Sequence, residues 1–377
     1  MLERLHLLGP SSRSELTRAT GLNRSTIADL LGELSAIGLV EEHRGAPGTG
    51  PGRPSPMVRV LPHGASVLAV ELAVDSVAVA TVGLGGHVFN LVRVARPRGR
   101  FSPEETVQDV AKLSGPLLDS LPAGHTLVGV GAAVVGITRR SDGFVHLAPN
   151  LGWRDVPLAS MLEDELSPDV PVLAANEADL GALAEHRRGQ HPDVANLVYI
   201  SGEVGIGAGV IVDGAPLLGA AGYAGEAGHT LINPEGTVCR CGAVGCWETE
   251  AGEAALLRLA GVRQGAGRLS EVAERAAAGD ERTLRAIADV GRWLGLGIGN
   301  LVNLFNPELV VLGGLYQRLF IFLEPSVLEG ARRRMLAAPG RMARITCSAL
   351  GPDASLIGAA ELVLSSVIED PASVGGR

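Results

Sequence analysis

Glu226-Ala-Gly-His-Thr-Leu-Ile-Asn-Pro-Glu-Gly-Thr-Val-Cys-Arg-Cys-Gly-Ala-Val-Gly-Cys-Trp-Glu248 is the stretch that decides how this chain is read. Cys239, Cys241 and Cys246, three of the four cysteines, fall within eight positions, and His229 stands ten residues before the first. Three thiolates and one imidazole complete a tetrahedral set for Zn²⁺ and leave no position for water, so such a metal is structural. Gly242 and Gly245 give the backbone the freedom to bring the sulfurs together. The competing reading is free thiols in a reducing compartment, and clustering of scarce cysteines argues against it. A disulfide would leave one of the three thiols unpaired, and the sequence carries no secretory context. One structural Zn²⁺ per chain is expected.

Glu226 and Glu248 flank these ligands. Glu226 and His229 are three apart and share a face if the segment is locally helical. Carboxylates held beside a rigid metal loop are suited to accepting hydrogen bonds from hydroxyls, which points to a polyol or sugar. On spacing alone, two solvated surface glutamates remain an equal alternative.

Glu226-Ala-Gly-His229 followed by Cys239-Arg-Cys-Gly-Ala-Val-Gly-Cys-Trp-Glu248 resembles the signature of the ROK family, which contains sugar kinases and sugar-responsive repressors. The resemblance runs from about residue 12 to residue 365. It implies that His229, Cys239, Cys241 and Cys246 hold zinc, and that Glu226, His229 and Glu248 also face a sugar pocket.

Net charge is −9, so no basic coat covers the molecule. The first sixty residues hold seven arginines against six acids, a balance of +1, leaving −10 on the remainder. A near-neutral piece on an acidic body permits local contact with DNA without requiring it. No apolar run reaches the roughly 18 residues that span a bilayer, and no signal peptide precedes the first domain, so a cytoplasmic protein with no membrane partner is expected.

Residues 1–8 read as a short helix stopped by Gly9 and Pro10. Ser12 and Glu15 form a capping box that opens a helix to about Ala19. After a turn at Gly21, Asn23 caps a third helix with Ile27, Leu30, Leu31 and Leu34 on its apolar face. This is a helix-turn-helix pattern. Val40–Arg44 and Met57–Val60 read as strands around the Gly/Pro-rich stretch from Gly45 to Pro56, which makes the pattern a winged helix. Asn23, Arg24, Ser25 and Thr26 would lead the second helix of the motif into the major groove, where Asn and Arg suit adenine and guanine edges. Arg53, in Gly52-Arg53-Pro54, would enter a narrow minor groove. A dimerisation or protein-docking module is the other use of such a head. The resemblance implies a winged helix and a Gly-Arg-Pro at this place. Family members usually carry more residues before the first helix, so either a start upstream of Met1 or a less stable head is expected.

From Ala65 the chain turns apolar. Val67–Leu72, Val77–Val82, Val88–Val94 and Leu127–Val135 read as strands, with a helix over Pro103–Ser120. A second half begins near Asn176, with strands Leu197–Ile200 and Gly207–Val212 and helices at 250–260, 269–279, 281–304 and 324–336. This order fits a two-lobed α/β, actin-like (ribonuclease-H-like) fold with a ligand cleft between the lobes. The expected domains are a head over 1–62, a first lobe over 63–175 completed by a C-terminal helix at 355–370, and a second lobe over 176–354 bearing the zinc loop. The head is expected to hang on the first lobe through Arg59–Gly64.

ATP-using members of the family carry Asp-x-Gly-Gly-Thr-Lys at the first phosphate turn. Here the chain reads Glu71-Leu-Ala-Val-Asp75, lacking both glycines and the lysine that would approach and neutralise a phosphate. Ser201–Gly209 keeps its glycines but places Glu203 where the kinases have Thr, a carboxylate aimed at a triphosphate. Gly313-Gly314 matches the distal nucleotide loop. Glu177 in Asn176-Glu177 stands where the kinases have the catalytic Asp, and a carboxylate displaced by near 1 Å costs about 100-fold in rate. Asn176 also reads as a helix cap with Glu177 on the favourable end of the dipole.

The resemblance therefore implies a transcriptional repressor without catalytic residues. Its degenerate sugar-kinase body would bind a sugar or amino sugar through Gly136, Asn176, Glu177, Glu226, His229 and Glu248. Its partners would be operator DNA, the sugar effector and further copies of itself in a homodimer or tetramer. An active ATP-dependent sugar kinase with an appended head is the alternative.

Overall fold

A computed structural model of the chain describes residues 1–43, 56–99, 101–122, 124–167, 169–263, 265 and 267–374. Helices Leu2–Leu8, Arg13–Thr20 and Arg24–Ala36 lead into a small antiparallel sheet in the order Ser11–Ser12, Met57–Val60, Val40–His43. The capping box forms as read: Ser12 N–H donates to Glu15 Oε2 at 2.7 Å, and Glu15 N–H donates to Ser12 Oγ at 3.2 Å. Ile27, Leu31 and Leu34 of the third helix are buried, whereas Leu30 is only half buried. The strand Ser11–Ser12 escapes sequence reading because two polar residues show no periodicity. Gly52-Arg53-Pro54 and Arg44 lie outside the described residues.

Two five-stranded sheets form the body. The first has the order Val172–Asn176, Leu127–Val134, Ser66–Leu72, Ser76–Gly83, His87–Ala95, and the second Ala215–Pro216, Ile206–Val212, Leu197–Gly202, Leu309–Gly314, Arg344–Cys347. In each sheet three strands at one side run parallel and the other two add antiparallel, with Val198 level with Val310 and Leu68 level with Val130. The interior strands are continuous apolar runs, as strands covered on both faces must be. A third sheet, Ile137–Arg139, Phe144–Ala148 and Trp153–Val156, is inserted after the first sheet's Leu127–Val134 strand.

Several expectations change. The helix read at 250–260 is two, Trp247–Ala251 and Glu253–Ala260, broken at Gly252. The insert sheet, the helix Leu158–Leu166 and the strand Val172–Asn176 were not read, and Asn176 closes a strand of the first sheet. The head is not hung on a linker. Leu5, Leu16, Ile27, Leu31, Val58 and Val60 belong to one continuous core with Val67, Val82, Leu356 and Val363 of the first lobe. The C-terminal helix Ala354–Glu369 crosses back beneath the first sheet and packs on the helix Glu177–Arg188. The stretch Gly351–Glu369 is long and apolar enough to span a bilayer, but 56% of it is buried within the protein and it carries the buried Glu361.

Candidate functional site

The metal-ligand set assembles. One donor atom from each of His229, Cys239, Cys241 and Cys246 lies within 4.8 Å of the others. Cys241 Sγ and Cys246 Sγ are 3.6 Å apart, and Cys239 Sγ is 3.7 Å from His229 Nδ1. Zinc–sulfur bonds of about 2.3 Å in a tetrahedron place sulfurs about 3.8 Å apart, so the set fits Zn²⁺. All four cysteines are free of disulfides. Gly245 has φ +75, and a Cβ there would fall 1.7 Å from the Asn233 carbonyl oxygen. The loop is pinned from below by Trp247, fully buried, whose indole N–H donates to the Trp293 carbonyl at 3.0 Å. A bound zinc would tie these segments together with no open coordination position.

His229 stands between the cysteine cluster and a cavity. Its Nδ1 faces the sulfurs, while its Nε2 lies 4.0 Å from Glu226 Oε2. Beyond it, between the two large sheets, is a cavity of about 270 Å³. Gly136, Asn176, Glu177, Glu226, His229 and Glu248, the six positions singled out from sequence, all line it. Asn176 holds the floor. Its Oδ1 caps the helix Glu177–Arg188 by accepting from Ala178 N at 2.8 Å and Asp179 N at 3.3 Å, and its Nδ2 donates to the Gly136 carbonyl at 3.0 Å. Gly136 has φ +123, and a Cβ would meet the Leu147 carbonyl at 2.6 Å.

Burial is the main force on the carboxyls. It pushes Glu177 up to about 8, aided by the neighbouring Glu226 and Glu203, so at neutral pH Glu177 is largely protonated and can donate a hydrogen bond. Burial also raises Asp179 to about 7 against the opposing pull of Arg140. Asp179 lines the cavity and was missed in sequence, although its place two residues into a capped helix behind Glu177 was a usable signal. Arg240 of the cysteine loop donates to Asn150 in the turn between the last two strands of the insert sheet, and Tyr223 stands edge-on to His146 with centroids 5.3 Å apart. Those pairs join segments distant in sequence and gave no local signal.

A second cavity between the sheets is crowded with carboxyls. Glu71, Glu177, Glu203, Tyr199, Ser201 and Ser355 line a small cavity of about 40 Å³. Glu71 accepts from the Ser355 hydroxyl and the Arg93 guanidinium, and Arg93 also donates to Asp353 Oδ1 at 2.9 Å. Burial holds Glu203 at about 7, with Glu71 and Asp75 adding to it. Arg98 donates to both oxygens of buried Glu253, at 2.5 and 3.0 Å, and to Asp75 at 3.2 Å, joining first lobe to second.

In the head, Asn23, Arg24 and Ser25 are exposed at the start of the third helix, and Thr26 is half buried. Asn23 Oδ1 is already taken as the cap, accepting from Thr26 N at 2.9 Å and from the Ser25 hydroxyl at 2.7 Å. Arg24 thus has the freest reach of the four. Arg53 lies outside the described residues.

The sequence pattern of the ROK family matches residues 67–366. The chain is 32% identical over 380 residues to the xylose repressor of Caldicellulosiruptor bescii, covering 96% of this chain and 93% of the repressor. Its fold is similar, at TM-score 0.77 and 26% identity with 98% of each chain covered, to a ROK family transcriptional regulator described as a homologue of the Escherichia coli MLC protein. It is also similar to a ROK family glucokinase from Streptomyces griseus solved with glucose and AMPPNP, at TM-score 0.68 and 26% identity over 80% of this chain and 99% of the kinase.

Proposed function

The chain belongs to the ROK family, and on that premise we propose that it is a sugar-responsive transcriptional repressor of the cytoplasm. The helical head is a winged helix that binds operator DNA through Arg24, with Arg53 at the wing. The body binds an unphosphorylated sugar or amino sugar in the cavity floored by Asn176 and rimmed by the metal loop. Glu226 and Glu248 accept hydrogen bonds from sugar hydroxyls, and protonated Glu177 donates one. A structural zinc on His229, Cys239, Cys241 and Cys246 keeps the rim in place, and His229 shares its ring between metal and sugar.

The observation that carries this reading is the joining, in one chain, of a DNA-sized helical head to a kinase-like body whose phosphate corner is filled by Glu71, Glu177 and Glu203. Their side chains occupy the corner, and Arg93, a cation beside them, is committed to Glu71 and Asp353 and supplies no counter-charge to a triphosphate. Glu177, held neutral at pH 7, is also a poor proton acceptor. Full-length protein should shift a duplex from upstream of its own gene, and D-xylose should weaken that shift. With ATP and a monosaccharide panel it should transfer no phosphate. Turnover near the 1 s⁻¹ or above that is ordinary for kinases would replace this reading by a sugar kinase.

A further inference from the structure

The helix Glu177–Arg188 has one end in the sugar cavity and the other at the head. Asn176, Glu177 and Asp179 line the cavity. Twelve residues on, about 18 Å at the helical rise, Arg187 and Arg188 close a buried junction. Arg188 Nη1 donates to the His6 carbonyl at 2.6 Å, Arg188 Nε donates to Glu361 Oε1 at 2.6 Å, and Arg187 Nη1 donates to Glu361 Oε2 at 3.4 Å. His6 belongs to the first helix of the head and Glu361 to the C-terminal helix, and both side chains are 0% exposed. The Gly85 N–H donates to His6 Nδ1 at 3.0 Å, and His6 Nε2 lies 3.0 Å from Glu361 Oε2 and against the Arg188 guanidinium. Four elements therefore meet on one histidine of the head.

The helix is held as a rod. A Cβ on Gly358 of the C-terminal helix would sit 1.9 Å from the Leu180 carbonyl, and one on Gly209 of the second sheet would sit 2.4 Å from the Ala178 carbonyl. Backbone in contact on both sides resists bending, so strain at one end of the helix is carried to the other. Its first residues accept the ligand and its last two hold the head.

We infer that Glu177–Arg188 is the coupling element of this protein. Ligand contact at Asn176, Glu177 and Asp179 moves the helix, and Arg187 and Arg188 deliver the movement to the His6–Glu361 junction, which sets the position of the head. This rests on the reading of the body as a sugar-binding regulator. Arg187 and Arg188 are positioning residues: they touch neither sugar nor DNA. A ligand shifts the head only by its difference in affinity for the two helix positions, and a coupling routed this way is lost when the junction is loosened while both binding sites stay whole.

The test uses full-length protein, D-xylose as probe and a duplex from upstream of its own gene. In wild type, saturating xylose should weaken DNA binding at least tenfold. In Arg188→Lys and in the milder Arg187→Ala, xylose affinity and sugar-free DNA affinity should each stay within threefold of wild type, while the effect of xylose on DNA falls below threefold. An undiminished effect in both variants overturns the inference. A second arm needs no sugar. Asn176→Ser keeps a capping oxygen but drops the bond to Gly136. It should change amide exchange in the Leu2–Leu8 helix at least fivefold, and less than twofold when Arg188→Lys is also present. Unchanged exchange at the head overturns the coupling whatever xylose does. A changed exchange with no xylose effect in wild type keeps the coupling and removes D-xylose as its ligand.

Discussion

Replacing Glu361 by Gln should destabilise the protein by about 2–3 kcal/mol at pH 7, with a pH dependence that identifies the cause. Burial pushes the Glu361 carboxyl up, but the hydrogen bond from His6 and the charges beside it outweigh burial and hold it at about 2, below its ordinary 4.5. A carboxyl so held contributes about 3 kcal/mol at neutral pH. Burial keeps His6 itself below its ordinary value, hence neutral at pH 7, so its share there is the hydrogen bond, and the charge is supplied by Arg188 and Arg187. Gln keeps an acceptor oxygen for Arg188, which places the loss under the about 3–5 kcal/mol of a broken buried pair. Since the folded value is depressed, the contribution is complete above pH 4.5 and drains away as pH falls toward 2. The gap between wild type and variant in urea unfolding should be full at pH 7 and about 1–2 kcal/mol at pH 3–3.5. A gap under about 1 kcal/mol at pH 7, or one equal at pH 7 and pH 3.5, would refute the account of a buried ionised Glu361.

Further outcomes follow from the other sites. Purified protein should hold one zinc per chain by elemental analysis, and Cys241→Ser should lose it together with several degrees of melting temperature, because closing the loop depends on the metal; folded protein free of zinc would count against the assignment. Arg24→Ala should weaken operator binding by about 1–3 kcal/mol and relax its sequence preference, measured by anisotropy on matched and mismatched duplexes. Glu248→Gln should reduce sugar affinity in calorimetry while sugar-free DNA binding stays intact, giving a repressor that the sugar no longer releases. Because burial raises Glu177 to about 8, the native protein loses stability as pH climbs from 4.5 to 8, so the melting temperature of Glu177→Gln relative to wild type should rise across that range and level off above it.

The sequence by itself determined the parts whose chemistry is local. The Cys239–Cys246 loop with His229 was legible because ligand type and spacing point to a metal, and the fold brings those four donors together. The Ser12–Glu15 capping box and the Asn23 cap were legible because a cap is satisfied within three residues. The strands of the first sheet were legible as apolar runs, whereas the insert sheet at 137–156 was not, since its short strands alternate weakly and include charged residues. Glu226 and Glu248 were legible as hydroxyl acceptors beside the metal loop, Gly136, Asn176 and Glu177 as sugar contacts only through resemblance to a family, and tertiary structure put all of them with His229 around one cavity. Asp179 as a cavity wall, the Arg98–Glu253 link between lobes and the His6–Arg188–Glu361 junction belong to the fold alone. His6 and Glu361 are 355 residues apart, and no periodicity or spacing relates them. They meet because the C-terminal helix returns to the first lobe, and a buried charge there is tolerated only where arginines from a third element reach it. Helix caps and metal loops are short-range and appear in the text of a chain, while ion pairs between elements are decided by which surfaces the apolar cores force together.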